Sequence, residues 1–227
     1  MSRGSFGRTV ARAAASGGSK SYRGRRPVLW YLSLLVIVVA GVALIVYSRN
    51  EAIHRASAST NAPTATDNWY TALGFDVCGT PQPNLAANTN LSAAGIRTFG
   101  DGIVNTNPGS VSNSAAFTGA HATLGTFVSS YGNHLSITPS AIVLPGKTPK
   151  RYVTGQRCKT GPYAGKTAAV QVQVWPSTSG TGSAFTGDPS AIKLANGQMI
   201  TVAFVPPGST IPAPRSKATL LQDLGKK

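Results

Sequence analysis

Acidic residues are scarce in this chain. Only six stand against 21 lysines and arginines in 227 residues, which gives a formal net charge of +15 at pH 7. General acid–base catalysis and glycoside hydrolysis need two carboxyl groups at a set separation. Asp101 and Asp188 lie in turn sequences, which leaves Asp76 without an obvious acidic partner. The sequence therefore predicts no acid-pair active site.

Histidines and nucleophile motifs are equally scarce. His54, His121 and His134 are the only histidines, and no H-x-H or H-E-x-x-H spacing occurs. A zinc or copper site needs three or four convergent ligands. The chain also lacks a Walker loop, a G-x-S-x-G and an S-x-x-K sequence, which are the patterns of phosphate cradles and activated serines. We therefore expect no catalytic residue, no metal and no cofactor.

The positive charge is unevenly placed. Residues 1–26 carry seven basic residues, no acid and almost no large apolar side chain. Such a segment buries too little surface to offset its ordering entropy. We predict a disordered basic cytoplasmic tail over residues 1–26.

A long run without charged side chains follows, from Val28 to Ser48. As an α-helix it would be about 31 Å long, close to the hydrocarbon thickness of a bilayer. Because arginines precede the run, and basic flanks stay in the cytoplasm, we predict a transmembrane signal anchor over residues 27–49. This predicts a single-pass protein of the cell membrane, with the N-terminus cytoplasmic and the C-terminal domain extracytoplasmic. Cleavage after Ala58 is the alternative.

The remainder of the chain is predicted to be a stalk, a folded domain and a tail. Residues 50–67 are rich in Ala, Ser and Thr, as in a stalk, and residues 207–227 contain three prolines, as in an extended C-terminal tail, here with one helical turn at Ala218–Leu224. Between them, residues 68–206 alternate strand-like runs with turn sequences. Gly100-Asp101-Gly102 is one such turn, and Asn196-Gly197 is another, between the strand-like runs Ala191–Leu194 and Met199–Val205. Apolar residues at helical spacing predict one helix over about residues 118–131. We therefore predict an α+β fold, a small, mostly antiparallel or mixed β-sheet domain with one packed helix.

The two cysteines, Cys78 and Cys158, both fall in this domain. An even count in an exported domain predicts one disulfide. It would close a loop of about 80 residues and stabilise the domain by roughly 4 kcal/mol in the chain-entropy model. Two separate thiols, or a redox pair, are the alternatives.

A basic cluster lies in the second half of the domain. It has six members within 20 residues and no acid among them: Lys147, Lys150, Arg151, Arg157, Lys159 and Lys166. On an exported domain it predicts a surface for an anionic partner, such as a protein face, lipid headgroups or a cell-wall phosphate polymer, and not for nucleic acid. A solvated surface without a partner is the alternative.

Several short segments carry a resemblance to a known family. They are WYTALGFDVC (69–78), GIRTFGDGI (95–103), ATLG (122–125) and ITVAFVP (200–206). Together with the layout of the N-terminus, they resemble a family of membrane-anchored exported proteins from actinobacteria that has no settled activity. Several members of that family carry alternating histidines around the hairpin. The corresponding positions here are Arg97, Phe99, Asn105 and Asn107. The resemblance thus implies a cell type and a layout, but neither a reaction nor a metal site.

These observations favour a non-enzymatic function. We expect a membrane-tethered extracytoplasmic binding or accessory protein of an envelope or membrane complex, in contact with the lipid bilayer through its helix and with a protein or anionic envelope partner through its domain. The alternative is a cell-envelope enzyme that uses dispersed residues. A deep pocket holding Asp76 or Asp101 beside His121 would favour that alternative.

Overall fold

The computed structural model describes residues 31–42, 62–88 and 94–225. The chain divides into two compact units, Met1–Ser48 and Arg49–Lys227. In the first unit, residues 31–42 form an α-helix, α1. The segment expected to be a disordered tail, residues 1–26, lies outside the described residues.

The prediction of a transmembrane anchor over residues 27–49 is wrong. No helix in the described parts of the chain is both long enough and apolar enough to cross a membrane. The predicted single-pass topology and cell-membrane location are therefore not supported by the structure.

The second unit is an α+β domain, as the sequence predicts. Its described residues contain ten strands: β1 (Trp69–Val77), β2 (Thr80–Pro81), β3 (Ile96–Thr98), β4 (Ile103–Thr106), β5 (Ser136–Ile137), β6 (Ala141–Leu144), β7 (Lys150–Val153), β8 (Ala169–Trp175), β9 (Ser183–Phe185) and β10 (Met199–Val205). Two α-helices accompany them, α2 (Leu124–Tyr131) and α3 (Lys217–Leu224), where the sequence predicts one packed helix.

The strands form two sheets. Seven of them make a mixed sheet in the order β3-β4-β1-β10-β8-β9, with β2 also paired to β1. The central pair, β1 and β10, is parallel, with Leu73 opposite Ile200 and Val77 opposite Phe204. All other pairs in this sheet are antiparallel. The second sheet is antiparallel, in the order β5-β6-β7.

The main core lies on one face of the large sheet. Strand side chains alternate between faces, so Ile200, Val202 and Phe204 of β10 point to the same side and are all buried. They belong to one cluster with Phe127 of α2 and Ile142 of β6. The helix and the second sheet together cover this face.

The C-terminal segment covers the opposite face. Residues 207–227 were predicted to be an extended tail with one helical turn at Ala218–Leu224. A helix is present there, α3, but it is not part of an extended tail, because its Leu220 is fully buried against Met199 of β10. The hydroxyl of Thr201 also donates to the Pro212 carbonyl at 2.8 Å. Strand β10 is consequently buried on both faces, which is why it is a continuous run of mostly apolar residues.

The described end of the predicted stalk, residues 62–67, belongs to the folded domain. The Gly119 amide donates to the Pro63 carbonyl at 2.9 Å, and the Thr64 amide donates to the Asp67 carboxylate at 2.7 Å. Residues 50–61 lie outside the described residues.

Candidate anion-binding groove

The predicted disulfide between Cys78 and Cys158 is confirmed. Its Cα atoms are 5.7 Å apart, and the cysteines are separated by 80 positions in the sequence. Both cysteines are buried. The bond joins the end of β1 to the loop that follows β7, so it fixes the position of the second sheet's edge relative to the large sheet.

A tight turn presents Cys78 to its partner. Cys78 and Gly79 both have positive φ angles, 58° and 79°, a conformation that L side chains seldom adopt. The Asp76 carboxylate accepts the Gly79 amide at 2.8 Å, and the Cys78 amide donates to the Phe204 carbonyl at 2.8 Å. These two hydrogen bonds stabilise the turn.

The loop from Cys158 to Lys166 closes on itself beside this turn. The Cys158 amide donates to the Lys166 carbonyl at 2.9 Å, and the Gly165 amide donates to the Cys158 carbonyl at 2.8 Å. A Cβ atom on Gly161 would lie 2.6 Å from the Cys78 carbonyl oxygen. Glycine is therefore required for the loop to approach β1 this closely.

A cavity of about 830 Å³ opens beside the disulfide; we call it the basic groove. Its floor is formed by Val77, Tyr152, Phe204 and the disulfide. The rings of Tyr152 and Phe204 are 5.5 Å apart, with a tilt of 36° between their planes. Burial raises the pKa of the Tyr152 hydroxyl above its ordinary value of 10.0. The floor is therefore apolar and uncharged at neutral pH.

The rim of the basic groove is cationic. Four members of the sequence cluster line it, all with exposed side chains: Lys150, Arg151, Arg157 and Lys159. No carboxylate lines the groove, and none of the four forms an ion pair with any residue that the structure describes. Their positive charge is therefore uncompensated by the described protein.

The other two cluster members lie next to the groove. Lys147 lines a neighbouring cavity of about 740 Å³, which shares Gln82 and Lys150 with the basic groove. Lys166 places its Nζ atom 5.7 Å from the centre of the Tyr163 ring, within cation–π distance. The structure thus brings four of the six predicted residues together, and the remaining two flank them.

Sequence reasoning missed the polar wall opposite the cations. Thr80 and Gln82 form this wall, and the Gln82 side chain donates to the Thr80 carbonyl at 2.8 Å. They are about 70 positions from the cluster in the sequence, so no local pattern connects them to it. The one available signal is the predicted disulfide, because it brings Cys78 and its neighbours to Cys158.

The acid closest to the disulfide, Asp76, faces other cavities. It lines two small ones, with Arg215 beside one and Tyr163 beside the other. Burial raises the pKa of the Asp76 carboxyl above its ordinary value of 3.8, while the hydrogen bond from Gly79 and the charge of Arg215 lower it. Neither cavity contains a histidine.

None of the cavities described above places Asp76 or Asp101 beside His121. Asp101 accepts the Ile103 amide at 2.9 Å within the β3–β4 turn, and His121 ends a short 3-10 turn. Within the described residues, no group of three or more histidine, cysteine, aspartate or glutamate side chains is placed to hold a metal ion.

Comparisons of the chain with protein-family models, with curated proteins and with solved structures found no match. The resemblance to an actinobacterial family therefore stays an expectation. Function has to be inferred from the chemistry of the basic groove.

Proposed function

We propose that this protein is a binding protein that holds an anionic partner in the basic groove. What supports the proposal is one observation: four exposed cationic side chains converge on a groove without a carboxylate. Like charges held this close repel one another, and this unfavourable energy is relieved when an anion enters. A cleft lined by one sign of charge also raises the local concentration of oppositely charged ligands.

The disulfide gives the groove its second useful property, a fixed shape. Two of the cations, Arg157 and Lys159, flank Cys158 directly, and the disulfide fixes that position against β1. The other two, Lys150 and Arg151, belong to β7, whose backbone is paired to β6. A site built this way loses little chain entropy when it binds a partner.

The experiment compares two double variants of the full chain. Arg151→Gln with Arg157→Gln removes two charges from the groove, and Lys193→Gln with Lys217→Gln removes two exposed charges elsewhere. Binding of labelled polyglutamate and of inorganic polyphosphate is measured by fluorescence anisotropy at low and high salt. Exposed ion pairs contribute about 0.2–1 kcal/mol each, so the groove variant should bind at least one of these probes about two- to thirtyfold more weakly.

The control variant has the same net charge as the groove variant. If both variants weaken binding equally, the interaction depends on the overall charge of +15, and the groove is not the site. If neither probe binds the unmodified protein, the proposal is wrong.

A further inference from the structure

The main chain beside the groove suggests which kind of anion fits. Strand β7 ends the three-stranded sheet, because the order is β5-β6-β7. One edge of β7 is paired to β6, with Val143 opposite Arg151 and Ile142 opposite Tyr152. Its outer edge has no strand partner among the described residues. Three residues of β7, Lys150, Arg151 and Tyr152, line the basic groove, whereas none of β6 does.

The hydrogen-bond pattern between β6 and β7 shows which residue of β7 presents its main chain to the outer edge. The Thr154 amide donates to the Ser140 carbonyl at 2.8 Å. Hydrogen-bonded and non-hydrogen-bonded pairs alternate along an antiparallel ladder. Lys150 and Tyr152 therefore direct their amide and carbonyl groups toward β6, whereas Arg151 directs its own toward the outer edge of β7. The Arg151 amide has no hydrogen-bond partner among the described residues.

At Val153, the outer edge of β7 is already hydrogen-bonded within the protein. The Val153 amide donates to the Gln156 side chain at 3.0 Å, and the Gln156 amide donates back to the Val153 carbonyl at 3.0 Å. A ligand strand therefore has access to the stretch centred on Arg151. The four residues of β7 span about 13 Å, which suits a short peptide segment.

We propose that the basic groove binds one extended acidic peptide segment of a partner protein, which adds to the outer edge of β7 as a further strand. This rests on the proposed function and names its partner class. Arg151 offers both a main-chain donor and a main-chain acceptor. A phosphate polymer has acceptors only and would leave the carbonyl unmatched, whereas a peptide matches both groups.

The side chains agree with a peptide ligand. Successive residues of an extended strand point to opposite sides, so alternate acidic residues can meet the cationic rim while the intervening ones contact the apolar floor at Tyr152 and Phe204. A second copy of this chain is a poor occupant, because its net charge is +15 and its six acids are scattered along the sequence.

The test uses the full chain and three labelled peptides. The first alternates glutamate and valine; the second carries N-methyl groups on the valine amides, and the third on the glutamate amides. All have the same charge, but each methylated peptide lacks the amide donors of one strand edge. We expect one of the two to bind about tenfold more weakly than the parent peptide, because it loses its hydrogen bonds to β7 and its methyl groups clash with that edge.

A second measurement follows the backbone amides of β7 in the protein. Amide hydrogen exchange should slow at Arg151 when the parent peptide binds, while Lys150 and Tyr152, whose amides already face β6, should change little. Equal binding of both methylated peptides, or an unchanged exchange rate at Arg151, would overturn strand addition. If the groove variant Arg151→Gln with Arg157→Gln still weakens binding in that case, the proposed function stands and only the strand geometry is wrong.

Discussion

Loss of the Cys78–Cys158 disulfide should cost this domain a large part of its stability. The bond closes a loop between positions 80 residues apart. In the chain-entropy model, a loop of this length removes about 15 cal/mol/K from the unfolded chain, which corresponds to about 4.5 kcal/mol at 25 °C. Domains are usually stable by about 5–15 kcal/mol, so the double variant Cys78→Ala with Cys158→Ala should lose between about a third and nearly all of that stability.

Equilibrium urea unfolding of the full chain measures this effect. We expect the midpoint to fall and the slope m to rise, because an unfolded chain without the cross-link is more expanded and exposes more surface. Val77→Ala serves as the control, since Val77 is a neighbouring buried residue whose truncation removes packing without opening a loop. It should cost about 1–3 kcal/mol and leave m unchanged. The unmodified protein under reducing conditions should behave like the double variant. A loss below about 1 kcal/mol with an unchanged m would refute the entropic reasoning.

Three further predictions concern the surroundings of the disulfide and the C-terminal segment. Burial raises the pKa of the Asp76 carboxyl above 3.8, so the folded protein binds the proton of this carboxyl more tightly than the unfolded chain does. Its contribution to the free energy of unfolding is therefore fully present below pH 3.8 and is lost as the pH rises through the folded-state pKa. In urea unfolding of Asp76→Asn, the free energy of unfolding should therefore fall less steeply with pH above pH 4 than in the wild type. Parallel curves for the two proteins would contradict this. Gly161→Ala and Gly165→Ala place a side chain at similar positive φ angles, 84° and 80°, but only the side chain at position 161 would meet backbone atoms. We expect Gly161→Ala to be more destabilising by at least about 1 kcal/mol. Equal urea midpoints for the two variants would contradict the close approach of Gly161 to Cys78. Leu220→Ala should lower the free energy of unfolding by about 2–5 kcal/mol, as measured by thermal or urea unfolding. The neighbouring change Leu221→Ala should lower it by less than about 0.5 kcal/mol, because the Leu221 side chain is 50 % exposed. Similar losses for the two variants would mean that α3 does not pack against β10 through Leu220.

Local patterns predicted the hairpin and the central strand well. The Gly100-Asp101-Gly102 turn joins β3 and β4, and both of its glycines have the positive φ angles that such a turn requires. The apolar run from Met199 to Val205 is a strand over its full length. In these segments the turn chemistry and the alternation of side chains agree with the tertiary contacts.

Other segments were decided by contacts that the sequence does not display. The run Ala191–Leu194 reads as a strand, yet it has a single bridge, between Lys193 and Thr123, because Asp188 caps a 3-10 turn that begins at Pro189. The helix predicted over about residues 118–131 begins only at Leu124. Gly119, in a preceding 3-10 turn, has a φ of 58°, which an α-helix does not accommodate.

The largest error was the predicted transmembrane anchor. The uncharged run of 21 residues was taken as one membrane-spanning helix, whereas no helix in the described part of the chain is long and apolar enough to cross a membrane. For the groove, the sequence supplied the six cations and the disulfide. It could not supply Thr80, Gln82 or Phe204, because their approach to the cluster depends on how β1, β7 and β10 are arranged in space.

The parallel pairing of β1 with β10 has a consequence for how this protein is made. Strand β10 occupies the middle of the large sheet but begins only at Met199, long after β1 in the chain. Until then the growing chain has one side of β1 without a neighbour. Both cysteines emerge earlier, so oxidation can already tie Cys78 to Cys158. That tether holds β1 beside the place where β10 must insert, and it shortens the search that β10 has to make.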